Sequence, residues 1–271
     1  MLAGLKTVHT PENMDEAINL LTEQDVRPLY GGVAIHRESP HDISAVVDLS
    51  RLGLEQHRVF DKGFSLGSMM TLEAARQACL AMSDHIPNAA FLAKIIRLEA
   101  PINMRNTMTI GDVLVERTSN SILMTALVLL DAQVDANGWP RFIHDWLKAP
   151  ALEVKSALIT EIAVEQGSPV GRYAFEKVSR TPADAPIVGA MSYVERNGDG
   201  TILDARLAVC GVDEYPIPLP AVDEELISTN GDLDGALSKL NVSPKGDHWG
   251  STDYRTAMTR VLSRRVLSQT L

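Results

Sequence analysis

Residues 165–172, with the sequence EQGSPVGR, separate two parts of the chain that have different patterns. Two glycines and one proline in so short a segment are typical of a loop between elements. Before it, short strand-like runs alternate with helical periodicity; after it, three strand-like runs come first and helical sequence follows. A chain of 271 residues is long enough for two domains. We therefore predict an α+β protein whose domains cover residues 1–165 and 166–271.

The first domain is predicted to divide into subdomains of about residues 1–50 and 51–165. Thr10 and Pro11 are expected to open a helix, because threonine caps helices and proline is tolerated at the first helical position. A short apolar run then leads to the glycine pair Gly31-Gly32. The further predicted elements are a strand at 45–49, a hairpin at 59–66, helices at 72–82 (capped by Thr71) and 89–96, a loop at 101–112, a helix at 122–130 and a strand at 132–135.

The second domain is predicted to contain a three-stranded antiparallel sheet, with strands at 173–179, 187–195 and 201–212. The sequence Asn-Gly-Asp-Gly at 197–200 suits a tight turn, because such steps supply positive φ angles. A final helix is expected to start at Ser251 and to bury one stripe of its surface. The residues predicted for this stripe are Tyr254, Met258, Val261, Leu262 and Val266.

Charge and apolar pattern exclude several classes of partner. The formal net charge is −10, which disfavours binding to a phosphate backbone, so we expect no nucleic-acid partner. The sequence has no apolar run of the roughly 18 residues that a membrane-spanning helix needs. The first residues show neither a basic start nor an apolar core of a secretory signal, so a cytoplasmic location is expected.

Cysteine and histidine usage indicates that any metal chemistry comes from another chain. Cys79 and Cys210 are expected to be buried thiols, and two cysteines cannot supply the four thiolates of an iron–sulfur cluster. The seven histidines show no ligand spacing of a known metal motif. His36 and His41, the nearest pair, flank a proline-containing loop and are expected to be solvated.

The sequence GFSLG at 63–67 matches the G-x-S-x-G pattern of the hydrolase nucleophile elbow. That elbow joins a buried strand to a helix that begins at once, whereas Ser65 lies within an alternating run and the next helix follows Thr71. We therefore expect Ser65 to be an outward-facing strand residue.

Two segments could bind a phosphate. The pair Gly31-Gly32 can present backbone N–H groups to an anion or can simply turn the chain. The segment 101–112 (PINMRNTMTIGD) offers a cation, amides, hydroxyls and a glycine. It could hold the diphosphate of a dinucleotide, or its side chains could satisfy their own backbone. The residues alone leave both alternatives open.

The order of these segments resembles the FAD-binding (medium) subunit of molybdenum hydroxylases, such as that of carbon monoxide dehydrogenase and the flavin domain of xanthine dehydrogenases. The resemblance runs along nearly the whole chain. Its stretches are PENMDEAINLL with YGGVA; VVDLS; SLGSMMTLEAA; INMRNTMTIGDVL with LVLLDAQV; and, in the second domain, YAFEKVSR with STDYRTAMTRVLSRRVL.

The resemblance implies a two-part FAD-binding domain (PCMH-type) followed by a smaller α+β domain. It implies FAD as cofactor, no catalytic residue in this chain and no metal site. Electrons would pass between an iron–sulfur subunit and an external acceptor, in a complex that also contains a molybdopterin-binding subunit. The cofactor-binding residues that it implies are Gly31, Gly32, Val33, Ala34, Gly67, Ser68, Met69, Arg105, Asn106, Thr109, Ile110, Gly111 and Asp112.

The chain departs from the family pattern at three of these loop positions. A hydroxyl residue commonly stands where Ala34 is, and glycines commonly stand where Met108 and Asp112 are. A carboxylate at position 112 would face an anionic diphosphate, and two unit charges about 4 Å apart repel by about 4 kcal/mol at an effective dielectric constant of about 20. A subunit that keeps the fold but has lost FAD, with a structural or assembly role, is therefore the alternative.

Overall fold

A computed structural model describes residues 4–37 and 43–271. A small parallel sheet comes first, with strand order β1-β3-β2. Its elements are β1 (Thr7–His9), α1 (Met14–Leu20), β2 (Val26–Leu29) and β3 (Ala45–Asp48). The predicted start of α1 at Thr10 was wrong, because the side chain of Asn13 accepts the N–H of Glu16 and caps the helix. A 3₁₀ turn at Ile35–Arg37 follows β2. His36 is exposed; His41 lies outside the described residues.

The second sheet has five antiparallel strands in the order β4-β5-β8-β6-β7. They are β4 (His57–Phe60), β5 (Gly63–Gly67), β6 (Gln133–Ala136), β7 (Trp139–Phe142) and β8 (Ile159–Glu165). The predicted hairpin of β4 and β5 is confirmed. The prediction that Ser65 faces outward was wrong: β5 pairs with a strand on each side, and Ser65 is 1% exposed. A serine in the middle of a central strand is not a nucleophile elbow.

Seven helices of the described chain lie between β5 and β8 in sequence. They are α2 (Leu72–Ala81), α3 (Pro87–Glu99), α4 (Ile102–Arg105), α5 (Ile110–Glu116), α6 (Ile122–Leu129), α7 (Ile143–Lys148) and α8 (Ala151–Ser156). All eight residues of α6 are buried, as expected for a helix that is apolar on every side. The predicted loop at 101–112 is partly helical, because Thr109 and Asp112 form a capping box that starts α5 inside it.

The third sheet has four antiparallel strands in the order β12-β11-β10-β9. They are β9 (Arg172–Val178), β10 (Val188–Arg196), β11 (Ile202–Cys210) and β12 (Ile217–Pro218). Three strands were predicted; the fourth was missed because prolines flank and enter it, and proline is tolerated only at such an edge. The predicted turn at 197–200 is confirmed, with Gly200 at φ +88°.

Three helices complete the fold: α9 (Pro220–Ser228), α10 (Leu233–Ser238) and α11 (Thr252–Thr270). The predicted start of α11 at Ser251 is confirmed, since Ser251 is its N-cap and accepts the N–H of Tyr254. The predicted stripe was partly wrong. Leu262 and Val266 are buried, whereas Tyr254 and Val261 are exposed, because the face of α11 that packs on β9 and β10 also carries polar residues. Those polar residues are Arg255, Thr259, Ser263 and Thr270.

The two parts of the chain share an apolar interface. Met191, Tyr193 and Ala208 of the third sheet belong to the hydrophobic core of the first part. The ring of Tyr173 stacks on that of Phe91, with 4.7 Å between centroids. Both cysteines are buried and free, as predicted.

Candidate functional site

Three loops predicted to bind the cofactor meet at one place. The first loop (residues 31–34) follows β2, the second (105–112) runs from α4 into α5, and the third (67–69) follows β5. The N–H of Gly111 donates to the carbonyl of Ser68 at 2.8 Å, which joins the second and third loops. The N–H of Gly31 donates to Thr109 Oγ1 at 3.2 Å, which joins the first and second. Segments far apart in sequence therefore form one cluster.

The carboxylate of Asp112 lies at the centre of this cluster and is 1% exposed. Its Oδ2 accepts from the N–H of Gly31, the N–H of Thr109 and the hydroxyl of Thr109, each at 3.0 Å. Its Oδ1 accepts from the N–H of Ala34 at 3.0 Å. The capping box fixes this side chain at the N-terminus of α5, where a negative charge is favourable. Asp112 thus binds the backbone of both loops.

The glycines of these loops serve close packing between the loops themselves. A Cβ on Gly31 would lie less than 3.0 Å from the carbonyl oxygen of Thr107 and from Asp112 Oδ2. A Cβ on Gly111 would lie equally close to the ring of Tyr30. Gly32 turns the first loop with φ +85°. The absence of side chains at Gly31 and Gly111 therefore admits the neighbouring loop in this arrangement.

Arg105 lies apart from the first loop. Its guanidinium is buried, pairs with Glu73 at 2.9 Å and donates to the carbonyls of Arg97 (3.0 Å) and Ala100 (2.7 Å). Hydrogen bonds from Arg76 and then from Arg105 lower the pKa of Glu73 to about 2. Asn106 is exposed at the end of α4. Arg105, the cation predicted to bind the diphosphate, thus forms an ion pair with Glu73 instead.

The other predicted site residues surround the cluster as follows. Val33 and Met69 are half-buried, and Ala34, Gly67, Ser68, Thr109 and Ile110 are buried. The hydroxyl of Ser68 has no hydrogen-bond partner among the described residues.

Sequence reasoning missed Tyr30, although it directly precedes the glycine pair. Its buried hydroxyl donates to the carbonyl of Ala157 at 3.0 Å and accepts the N–H of Ile159 at 2.8 Å. It thereby ties the first loop to β8.

Little space remains between the first two loops. The cavity there has a volume of about 10 Å³, and its walls include Tyr30, Gly32, Ala34, Asp112 and Lys155. Such a volume holds at most about one water molecule. Among the described residues, no helix is long and apolar enough to span a membrane, and no group of three or more His, Cys, Asp and Glu could hold a metal ion.

Comparison with known families identifies the family to which this chain belongs. Residues 4–164 match the family described as the FAD binding domain in molybdopterin dehydrogenase, and residues 173–270 match the C-terminal domain of CO dehydrogenase flavoprotein. The chain belongs to the molybdenum hydroxylase flavoprotein family. FAD is the cofactor for which the first of these domains is named, as the resemblance implied.

Two relatives match along almost their whole length. The uncharacterized protein YgfM of Escherichia coli K12 is 28% identical over 257 residues, which cover 93% of this chain and 91% of that protein. The carbon monoxide dehydrogenase medium chain of Afipia carboxidovorans is 26% identical over 291 residues, covering 99% of this chain and 98% of that one.

A solved structure has the same fold as this chain. A chain of reconstituted CO dehydrogenase from Oligotropha carboxidovorans superimposes with a TM-score of 0.86 at 24% identity, covering 100% of this chain and 99% of that chain. The predicted architecture, a two-part FAD-binding domain followed by a smaller α+β domain, is therefore confirmed, with four strands in the last sheet instead of three.

The residues present do not fit a flavin diphosphate in the arrangement that the structure shows. The N–H groups of Gly31 and Ala34 already bind Asp112, and the adjoining cavity holds no more than about one water. The hydrogen bonds described for the carboxylate come from neutral donors of Gly31, Ala34 and Thr109. The chain has the fold of the family, but in this arrangement Asp112 occupies the backbone N–H groups that a flavin diphosphate would need.

Proposed function

We propose that this chain is the flavoprotein-type subunit of a multi-subunit molybdenum hydroxylase. Its partners are an iron–sulfur subunit and a molybdopterin-binding subunit. Within this complex the chain transfers electrons between the iron–sulfur partner and an external acceptor. The observation that supports this most directly is the match along both family domains, 4–164 and 173–270. We place the complex in the cytoplasm.

The three loops at 31–34, 67–69 and 105–112 are the proposed flavin site. They meet at one place through Gly31, Gly111 and Ser68, although they come from distant parts of the sequence. When bound, FAD supplies the redox chemistry, and the protein contributes position and electrostatics.

The contact of Asp112 with Gly31 and Ala34 favours a second candidate function. In that role the chain carries no flavin and serves the complex as a structural or assembly subunit. Both candidates need the same partners, and they differ in whether the purified complex contains one flavin for each copy of this chain.

Gentle purification from the native organism tests the subunit assignment. The affinity tag belongs at the N-terminus, because Thr270 at the other end is buried. We expect an iron–sulfur chain, detected by its iron content and electron paramagnetic resonance, and a larger chain that carries molybdenum. Elution of the tagged protein alone, at the mass of a monomer or homodimer, would contradict the proposal.

The flavin content of the same preparation separates the two candidates. The complex is denatured, and released FAD is quantified by its fluorescence against the amount of this chain. A ratio near one supports the flavoprotein role. A ratio near zero in a complex that retains iron and molybdenum supports the structural role.

A further inference from the structure

The backbone amides of the first loop have an anionic partner within the chain. The N–H groups of Gly31 and Ala34 point to different oxygens of the same carboxylate, each at 3.0 Å. Successive backbone N–H groups in a turn form a concave anion-binding surface. Hydrogen bonds to an ionised acceptor are shorter and stronger than those between neutral groups. In this structure that surface binds Asp112.

The carboxylate is held firmly from its own side as well. Thr109 donates to Asp112 Oδ2 through both its backbone N–H and its hydroxyl. The backbone N–H of Asp112 donates in return to Thr109 Oγ1 at 3.2 Å. The side chain is therefore fixed before it meets the first loop, and rotating it away breaks four hydrogen bonds.

The backbone of Gly31 packs closely against the second loop beside the carboxylate. The Cα of Gly31 faces the carbonyl oxygen of Thr107 and Asp112 Oδ2 so closely that a Cβ would collide with both. A diphosphate would need the same amide hydrogens and the same space, and it would also meet a like charge. Binding of the two anions is mutually exclusive in this geometry.

We propose that Asp112 is an internal anionic ligand of the first loop, so that a flavin diphosphate binds there only after this carboxylate has left. The inference rests on the proposed function, which assigns the three loops to flavin. It makes Asp112 a competitor of the cofactor, and it makes the residue at position 112 the determinant of flavin affinity in this chain.

Titration of FAD into the purified chain tests the competition. The proteins compared are the wild type, Asp112→Gly, Asp112→Asn and the control Asp253→Asn, which removes one exposed charge from the first turn of α11. Loss of an acceptor for charge-assisted hydrogen bonds should lower the Kd for FAD about tenfold or more in Asp112→Gly. Asp112→Asn should lower the Kd for FAD less, because the amide still occupies the space of the Asp112 carboxylate. The control should match the wild type.

Amide hydrogen exchange supplies a readout that does not depend on flavin. Without FAD, exchange at the amides of Gly31 and Ala34 should be slow in the wild type and faster in Asp112→Asn. This variant serves if Asp112→Gly fails to fold, because its side chain keeps an oxygen that can accept from Thr109. An equal Kd in the wild type and in every folded variant at position 112 would overturn the proposal. Unchanged protection of both amides in Asp112→Asn would overturn it too.

The outcome is independent of the test of the proposed function. A chain that elutes without partners can still bind FAD more tightly as Asp112→Gly. A chain that co-purifies with partners can have the same Kd for FAD in the wild type and in Asp112→Gly.

Discussion

The ring of Tyr30 fills the space that a side chain at position 111 would occupy. A Cβ built on Gly111 would lie less than 3.0 Å from three atoms of that ring. Tyr30 cannot easily move aside, because its hydroxyl is bonded to the backbone of Ala157 and Ile159. Gly111 therefore lets Tyr30 of the first subdomain pack directly against α5 of the second.

Gly111→Ala should consequently destabilise the protein by about 2 kcal/mol or more, since overpacking shifts buried groups and the Tyr30 hydroxyl would lose its partners. The measurement is urea unfolding followed by circular dichroism. Gly198→Ala is the matched control, because nothing lies within 4 Å of a Cβ there, and its free energy of unfolding should change by less than about 0.5 kcal/mol. Equal stability of the Gly111→Ala variant and the wild type would show that Tyr30 has room to move.

Local patterns predicted most of the elements, because their causes are local. The caps Thr71 and Ser251 and the turn at 197–200 depend on residues within about one helical turn or hairpin of themselves. The loops of the site were recognised from their residues and their order. The contact of Asp112 with Gly31 was not predicted, because it depends on how two loops about 80 residues apart approach each other.

The buried face of α11 was also predicted only in part from the sequence. Periodicity alone assigned Tyr254 and Val261 to the buried stripe, yet both are more than one-third exposed. The buried face instead includes Arg255, which donates to the carbonyls of Ile187 and Gly211 at 2.6 Å each. A buried arginine with carbonyl partners leaves no apolar signal in the sequence.

Ala34→Ser and Asp112→Gly should act non-additively on FAD affinity. In the wild type the residue at position 34 already lies beside Asp112, whose Oδ1 accepts its N–H. A serine hydroxyl there would donate to the carboxylate, and only after Asp112→Gly could it donate to a phosphate. Ala34→Ser alone should therefore change the Kd by less than about threefold, and the double variant should bind more tightly than Asp112→Gly alone. The same effect of Ala34→Ser in both backgrounds would argue against this coupling.

A new charge should destabilise the protein by very different amounts at two adjacent positions of α11. Leu262 is 2% exposed and packs in the core of the third sheet, whereas Val261 is 37% exposed. Leu262→Asp should cost about 4 kcal/mol or more, because it buries an unpaired carboxylate, and Val261→Asp about 1 kcal/mol or less. Met258→Asp should lie between them, since Met258 is half-buried. Thermal unfolding of the three variants tests this order. A similar Tm for Leu262→Asp and Val261→Asp would mean that this face of the helix is not packed.

Asp223 should make the protein less stable as the pH rises towards 8. Burial raises the pKa of its carboxyl from 3.8 to about 8, although a backbone hydrogen bond with Leu207 opposes the shift. One of its oxygens is buried without a partner among the described residues. In the unfolded chain the group ionises near its ordinary pKa, so between about pH 4 and pH 8 the folded state binds more protons.

Its contribution to stability is therefore complete below about pH 4 and is lost as the pH rises through about 8, and the loss is on the order of 5 kcal/mol. Asp223→Asn stays neutral at both limits and should remove that part of the pH dependence. The measurement is the free energy of unfolding at pH 5 and pH 8 for the wild type, Asp223→Asn and the exposed control Asp253→Asn. If all three proteins lose the same stability between these pH values, the buried carboxyl of Asp223 is not the group that titrates.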